Sequence, residues 1–123
     1  MSSKMVLIVA IAAVPGCSLF ATMQVPVRNE GDVLVNTHGM MLYTFDRDGQ
    51  AKSTCTGQCA ANWPPLVAAA DAKSAGDYSI VTRDDGRRQW AYKGQPLYLS
   101  VKDQNPGDRA GQGFNNLWRV ARP

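Results

Sequence analysis

Two cysteines, Cys55 and Cys59, are the first candidates for chemistry in this 123-residue chain. Nearby thiols usually form a disulfide in an oxidising compartment, and they serve as redox or metal-binding pairs elsewhere. Their CxxxC spacing differs from the CxxC of thioredoxin-like sites, and the sequence has no second cysteine pair that would complete a tetrahedral zinc site. We therefore expect a local disulfide, with a redox or metal-binding pair as the alternative.

A second group of candidate ligands is His38, Met40 and Met41. Imidazole and thioether together suit copper, particularly Cu(I). Adjacent residues of a strand point to opposite faces, so at least one of the two methionines is expected in the core. His38 precedes Gly39 in a predicted turn, where an exposed polar residue is the usual occupant. A copper site is therefore only an alternative, and we expect no cofactor.

Three aspartates, Asp46, Asp48 and Asp103, are candidate ligands for a calcium ion. The segment from Asp46 to Gly49 alternates acidic residues as a calcium loop does, but it lacks the later ligands and the glycine at the sixth position. Asp48 and Asp103 each follow a predicted strand, where a carboxylate commonly accepts backbone N–H bonds in a turn. We expect this structural role for both residues.

The remaining composition argues against catalysis and against nucleic-acid binding. The sequence has one histidine and contains no nucleophile elbow, phosphate loop or dinucleotide fingerprint. A formal net charge of +3, without a run of Lys and Arg, is too even for a nucleic-acid-binding surface. We expect a protein that is not an enzyme and that binds no nucleic acid.

Several of these residues belong to an internal duplication with a spacing of 55 positions. Retained aromatics, a turn glycine and an acidic residue indicate one structural unit used twice, because a single copy would not bury its apolar face. The two copies extend over about residues 33–67 and 88–122. The matched pairs are Gly39 and Gly94, Leu42 and Leu97, Tyr43 and Tyr98, Asp48 and Asp103, and Trp63 and Trp118.

The elements that position these residues are predicted to be short strands and turns. The turns His38–Gly39 and Lys93–Gly94 each join two strands into a hairpin, and Asp84-Asp85-Gly86 is a further hairpin turn. Residues 59–62 are expected to form one helical turn, and residues 67–76 a short helix or a loop. The predicted strands are Val33–Thr37, Met41–Phe45, Tyr78–Thr82, Gln89–Tyr92 and Pro96–Ser100.

The predicted fold class is mainly β with small α content. Antiparallel hairpins in two pseudo-twofold repeats are expected to form one compact domain over residues 31–123, closed around Trp63, Trp90 and Trp118. Exposed Trp and Tyr rings would anchor a partner, whereas buried rings would belong to the core. Alternation along the strand of Trp90 and Tyr92 allows either a buried face or a binding stripe.

The N-terminus predicts the compartment. Lys4 precedes an apolar run, Met5–Val14, that is too short to span a bilayer but suits the core of a secretory signal. Gly16 before Cys17 resembles the lipobox of bacterial lipoproteins, in which the cysteine is acylated and becomes the mature N-terminus. The alternatives are cleavage near Ala21 and an uncleaved apolar N-terminus.

The expected processing places the mature protein in the cell envelope. Residues 1–16 would be a lipoprotein signal peptide, Cys17 would carry the acyl chains, and residues 17–30 would form a tether. Two or three acyl chains hold a protein on a membrane far more firmly than one chain. In a Gram-negative cell, Ser18 after the cysteine favours sorting to the outer membrane.

The segment Tyr43-Thr44-Phe45-Asp46-Arg47-Asp48 matches the pattern Yx(F/W/Y)xxD. In this it resembles a bacterial family of predicted lipoproteins with a secreted repeat of unknown function. Similar pieces include Trp63-Pro64-Pro65-Leu66 and Gln89-Trp90-Ala91-Tyr92, and the resemblance covers about residues 31–122. It implies a surface or periplasmic lipoprotein with paired repeats, and it supplies no activity.

The second copy departs from this motif at one position. Tyr98 and Asp103 occupy the first and last places, but Ser100 stands where the pattern has an aromatic residue. A site that requires two equivalent motifs is therefore not expected.

These observations predict a lipid-anchored envelope protein that acts as a non-catalytic binding or structural interaction module. Its expected partners are the membrane, through the N-terminal lipid, and an envelope protein. The alternative function is a periplasmic copper-handling or thiol-redox lipoprotein that uses the residues named above. The sequence makes no prediction of the oligomeric state.

Overall fold

The computed structural model describes residues 25–123. It confirms a mainly antiparallel β fold with one small helix. Cys17 and the predicted signal peptide lie outside the described residues. Within residues 25–123, no helix is both long and apolar enough to cross a membrane. The elements are β1 (Val27–Glu30), β2 (Val33–Asn36), β3 (Tyr43–Phe45), α1 (Gln58–Asn62), β4 (Tyr78–Thr82), β5 (Arg88–Tyr92), β6 (Gln95–Pro96), a 3-10 turn (Phe114–Asn116) and β7 (Trp118–Val120).

Strand β1 corrects the expected extent of the tether. Residues Val27–Glu30 were expected to lie outside the domain, but they pair antiparallel with β2, from Val27 opposite Asn36 to Glu30 opposite Val33. Gly31, with a φ of 71°, provides the tight turn between the two strands. The sequence of β1 does not show the alternation of a half-buried strand, because its three polar residues are exposed and only Val27 packs against the core.

Strand β3 does not continue the hairpin that was expected for residues 33–45. The hairpin forms at the predicted turn, where Val35 bridges Met41 and the Leu42 N–H donates to the Leu34 carbonyl, and the chain then leaves β2. Strand β3 pairs instead with β7, so that Tyr43 lies opposite Val120 and Phe45 opposite Trp118. The partner is more than 70 residues away in the chain, and local alternation does not identify it.

The second half contains the predicted three-strand arrangement. Strand β4 pairs with β5 across the turn at Asp84-Asp85-Gly86, where the Gly86 N–H bonds the Arg83 carbonyl at 2.9 Å. Strand β5 pairs with β6 across Lys93 and Gly94, which both have positive φ. The alanine-rich segment 67–76 is a loop rather than a helix.

Backbone hydrogen bonds relate the two halves by a pseudo-twofold axis. The Tyr43 N–H donates to the Tyr98 carbonyl at 2.8 Å, and the Tyr98 N–H donates back to the Tyr43 carbonyl at 2.9 Å. This reciprocal bridge joins two residues that are matched in the duplication, so the axis passes between them. Two further pairs of backbone bonds are related in the same way. The bond from the Ala121 N–H to the Leu42 carbonyl corresponds to the bond from Leu66 to Leu97, and the bond from Asp46 to Leu117 corresponds to the bond from Val101 to Asn62.

The spacing of 55 positions applies from Gly39 onward but not before it. The Leu42 N–H donates to the Leu34 carbonyl, and the Leu97 N–H donates to the Trp90 carbonyl. These equivalent bonds match Leu34 with Trp90, which are 56 positions apart. The first hairpin therefore contains one more residue than the second.

The core consists of two clusters rather than one centre around three tryptophans. Trp63 and Trp118 share the first cluster, while Trp90 lies in the second. Strand β2 separates them, because Leu34 points to one side and its neighbours to the other. The first cluster comprises Val33, Val35, Met41, Tyr43, Cys55, Trp63, Tyr98, Trp118 and Val120, and the second comprises Leu34, Leu42, Leu66, Ala68, Ala72, Trp90, Leu97 and Ala121.

Candidate functional site

The tyrosines and aspartates of the repeated motif bond across the two halves. The Tyr43 hydroxyl donates to Asp103 Oδ2 at 2.7 Å, and the Tyr98 hydroxyl donates to Asp48 Oδ2 at 2.7 Å. Each tyrosine thus binds the aspartate of the other copy, and we refer to these two bonds as the crossed pairs. Both tyrosine side chains are fully buried. The crossed pairs therefore hold the two repeats together.

The second oxygen of each carboxylate takes the turn role expected from the sequence. Asp48 Oδ1 accepts the backbone N–H and the hydroxyl of Thr54, both at 2.8 Å. Asp103 Oδ1 accepts the Ala110 N–H at 2.8 Å. Asp46 takes a different partner, since both of its oxygens bind Arg119 at 3.0 Å. The three aspartates considered for calcium are thus engaged separately, by a tyrosine or by an arginine.

Burial changes the acidity of both phenols. Burial raises the pKa of Tyr98 to about 12, and the hydrogen bond to Asp48 acts in the same direction. The pKa of Tyr43 is raised further, first by burial and then by the bond to Asp103. A phenol that donates to a carboxylate must keep its proton, so both groups are neutral at ordinary pH and suited to holding structure.

A buried arginine, Arg83, joins the Tyr98–Asp48 crossed pair to the disulfide loop. Its guanidinium is fully buried and donates to Ser53 Oγ at 2.9 Å and to the Cys55 carbonyl at 2.7 Å. Ser53 in turn contacts the Tyr98 hydroxyl at 2.7 Å. The remaining donors go to Asp85 and to Gln89.

Asp85 neutralises the buried Arg83 guanidinium. Hydrogen bonds from Arg83 and then from Arg87 hold the pKa of the Asp85 carboxyl well below its usual range. This network was not predicted from the sequence. The available signal was an arginine at the end of a predicted strand, two positions before an aspartate in a turn.

Cys55 and Cys59 form the expected disulfide. Cys55 is 1% exposed, and Cys59 lies in α1 against the first cluster. The corresponding positions of the second copy hold Ala110 and Phe114. The bridge therefore stabilises a loop in one repeat only, and the buried Cys55 sulfur is poorly placed for exchange with an external thiol.

The residues considered for copper divide between surface and core. His38 is exposed in its turn, and Met41 is 3% exposed within the first cluster. His38 and Met41 line one groove of about 360 Å³ together with Arg28, Glu30 and Arg109. Arg28 pairs with Glu30, and the charge that Arg109 adds leaves the groove net positive, which disfavours a metal ion. Met40 is half-buried nearby in the chain. Across the described part of the chain, no three His, Cys, Asp or Glu side chains converge on one point.

Three aromatic rings form a continuous stack, and the pseudo-twofold axis passes between two of them, Trp63 and Trp118. Trp63 and Trp118, which are matched in the duplication, stack at 3.8 Å between centroids with 3° between their planes. Phe45 stacks on Trp118 at 4.3 Å with 17° between planes. Two rings so close to the centre of Trp118 would overlap on one face, so Phe45 and Trp63 cover opposite faces. The order is Phe45, Trp118, Trp63.

Rotation about the pseudo-twofold axis carries the position of Phe45 on Trp118 to an equivalent position on Trp63, which would be the fourth place in the stack. The residue matched with Phe45 is Ser100, and it lines a cavity of about 160 Å³ together with Trp63. Phe114 forms the outer wall, with its ring tilted by 55° to Trp63 at 5.8 Å. We call this cavity the Trp63 slot. Its lining residues are Asn62, Trp63, Ser100, Val101, Lys102 and Phe114.

The tryptophans supply no exposed binding stripe, while Tyr78 and Tyr92 are half-buried and pack against each other at 4.9 Å between ring centroids. Trp63, Trp90 and Trp118 are between 2% and 6% exposed and therefore belong to the core. Apolar exposure occurs at the slot instead, where Val101 is 53% exposed and Phe114 is 36% exposed. Ser100, the residue that departs from the motif, lines this recess.

A model of a protein family described as a secreted repeat of unknown function matches the chain twice, over residues 25–67 and 79–122. No curated protein and no solved structure gives a significant match. Each matched range contains one copy of the duplication. The crossed pairs give a physical reason for the repeat, because each copy supplies one partner to each bond.

Proposed function

Because the chain belongs to the Lipoprotein_15 family of secreted repeats of unknown function, we propose that it is a lipid-anchored envelope protein that binds a partner without catalysis. The anchor is Cys17, which follows the apolar run of the signal. The Cys55–Cys59 disulfide supports the same location, since such bonds persist in oxidising compartments.

The bonding of the polar side chains supports a non-catalytic role. Tyr43, Tyr98, Asp103 and Arg83 are buried and Asp48 is half-buried, and each of these polar side chains is bonded to another residue of the chain. A catalytic acid or base needs a reacting atom within hydrogen-bond reach. These groups are instead directed at one another, which suits a rigid scaffold.

The Trp63 slot is the observation that carries the binding function. It is a recess with an aromatic and aliphatic wall and a few polar groups at the rim, which is the usual composition of a binding site. The rigid stack behind it supports recognition, because a site that is already formed loses little entropy on binding. We infer that the two repeats serve to present this recess outside the cell membrane.

The lipid anchor is tested by producing the full chain in bacteria and measuring the mass of its N-terminal peptide. We expect a diacylated or triacylated peptide beginning at Cys17, and its loss in C17S. S18A is the matched control and should retain the lipid, because it leaves the acceptor thiol in place. An unmodified peptide that begins near Thr22 would contradict the anchor.

Partner binding is tested in intact cells with a photo-cross-linking residue placed at single exposed positions. The set should include Val101, beside the slot, and Val67, which is equally exposed elsewhere. We expect a discrete covalent adduct from at least one exposed position. If no position in the set yields an adduct while the protein is folded and in the membrane fraction, the binding function is wrong.

A further inference from the structure

We propose that the Trp63 slot receives an aromatic side chain of a partner protein, which stacks on Trp63 as the fourth ring of the column. This inference rests on the proposed binding function and specifies what is bound. Its first support is internal. In the other half of the molecule, Phe45 fills the matching place on Trp118 at 4.3 Å between centroids. The protein thus contains a copy of the complex that we propose.

The size of the slot fits one ring. The cavity beside Ser100 measures about 160 Å³, and apolar cavities of about 150 Å³ bind a benzene molecule. Trp63 is 6% exposed, so only a small part of its indole surface is open to solvent before a ring binds. Stacked aromatic pairs gain attraction beyond the area that they bury, which favours a ring over an aliphatic side chain.

The surroundings of the slot favour a protein partner over a free aromatic compound. Val101 and Phe114 are two of the three exposed large apolar residues in the described part of the chain, and they flank the opening. Val67 is the third. An aromatic anchor in a recess, surrounded by a contact ring that excludes water, is the usual form of an interface hot spot. A single ring alone buries too little surface for tight binding.

Lys102, at the rim of the slot, favours a partner segment that carries a negative charge. Lys102 Nζ lies 4.6 Å from the centre of the Phe114 ring, and it forms no ion pair with another residue between 25 and 123. An acidic residue beside the anchoring aromatic would pair with this ammonium group. The partner segment is therefore an exposed Phe, Tyr or Trp next to Asp or Glu.

The test measures binding of the blocked dipeptide N-acetyl-Phe-Asp-amide to the full-length protein, isolated from cells in detergent. The comparison probe is N-acetyl-Leu-Asp-amide, and the signal is the NMR resonance of the Trp63 indole N–H. We expect a saturable shift with a Kd of about millimolar order, because the probe buries only one ring. The leucine probe should bind roughly tenfold more weakly, since it lacks the stacking attraction.

Two pairs of variants locate the bound ring. S100F places a phenylalanine in the slot as Phe45 does in the other half, so it should abolish binding, whereas S100A should bind as the wild type does. V101S should weaken binding severalfold, whereas V67S, at a valine of equal exposure, should not. Equal binding of the phenylalanine and leucine probes would overturn the inference, and so would undiminished binding by S100F and V101S.

The result can be separated from that of the proposed function. If photo-cross-linking from other positions captures a partner while the phenylalanine probe leaves the Trp63 resonance unchanged, binding stands and the slot is not its site. If the probe binds as expected while C17S and the wild type carry the same unmodified N-terminus, the slot stands and the lipid anchor is wrong.

Discussion

Tyr43 donates its hydroxyl proton to Asp103, 60 positions away, although its own motif ends in the aspartate Asp48. Tyr98 makes the reciprocal bond to Asp48. The spacing within the motif therefore does not bring a tyrosine to its own aspartate. It places each residue correctly for the other copy, and the repeated pattern describes an interface between two halves of one chain.

A double-mutant cycle on Tyr43 and Asp103 should show strong coupling. Y43F leaves a nearly buried carboxylate without its donor, and we expect it to lower the free energy of unfolding by about 1–3 kcal/mol. D103N in the Y43F background should cost much less than D103N alone, because the bond is already lost. Urea unfolding of the four proteins measures the coupling.

The matched control for this cycle is Y43F combined with D48N. These residues share a motif but not a bond, so their effects on unfolding should be nearly additive. Strong coupling of Tyr43 with Asp48, or none with Asp103, would show that the pairing is wrong.

Stability should fall in alkaline solution as the buried phenols ionise. The pKa of Tyr98 in the folded protein is about 12, while that of an exposed tyrosine is about 10. The folded state thus favours the protonated phenol, so this contribution is complete below pH 10 and is lost as the pH rises toward 12. Urea midpoints between pH 8 and about 11.5 should decline less steeply in Y98F than in the wild type.

The loss of stability in acid should depend on Asp85. Because Arg83 and Arg87 lower its pKa in the folded protein, its contribution to stability is present above about pH 4 and is lost as the pH falls further. D85N should therefore be less stable than the wild type at pH 7 and should lose less additional stability in acid.

D84N is the matched control for the acid measurement. Asp84 is the neighbouring turn residue, with a side chain 70% exposed and paired to Lys52 at the surface. Its substitution should change stability at pH 7 only slightly, because exposed ion pairs contribute little. An equal loss in D84N and D85N would contradict the role of the buried arginine.

Gly111 should not tolerate a methyl group. An added Cβ would lie 2.6 Å from the Trp63 ring and 3.0 Å from the Tyr43 ring, both of which are fixed in the core. We expect G111A to lower the free energy of unfolding by about 1–3 kcal/mol, the usual cost of overpacking. G49A is the control, since its Cβ would make an ordinary contact of 3.6 Å with Lys52.

Local features of the fold could be predicted because neighbouring residues determine them. Strand β4, the turn at Asp85 and Gly86, and the Cys55–Cys59 disulfide depend on β-branched alternation, turn residues or a short loop. The duplication was also visible, since matched aromatics and glycines survive in both copies.

Features that depend on distant partners could not be predicted in the same way. Strand β7 is three residues long and pairs with β3 across most of the domain, so no local pattern specifies it. The burial of Arg83 follows from its guanidinium donors meeting acceptors on separate segments of the chain. Likewise, Ser100 marks a recess only once Phe45 is known to stack on Trp118.

The crossed pairs also indicate how a single repeat would behave without the other. A single repeat would contain a donor and an acceptor that cannot reach each other, and it would satisfy both only by forming a symmetric dimer with a second identical copy. Because its two copies would be identical, such a dimer would carry the recess in both halves or in neither. Joining the copies in one chain allowed them to differ, with Phe45 and a disulfide in one half and Ser100 and Phe114 in the other. The molecule thus has near-twofold architecture but carries the Trp63 slot in one half only, so we expect it to bind one partner segment at that slot.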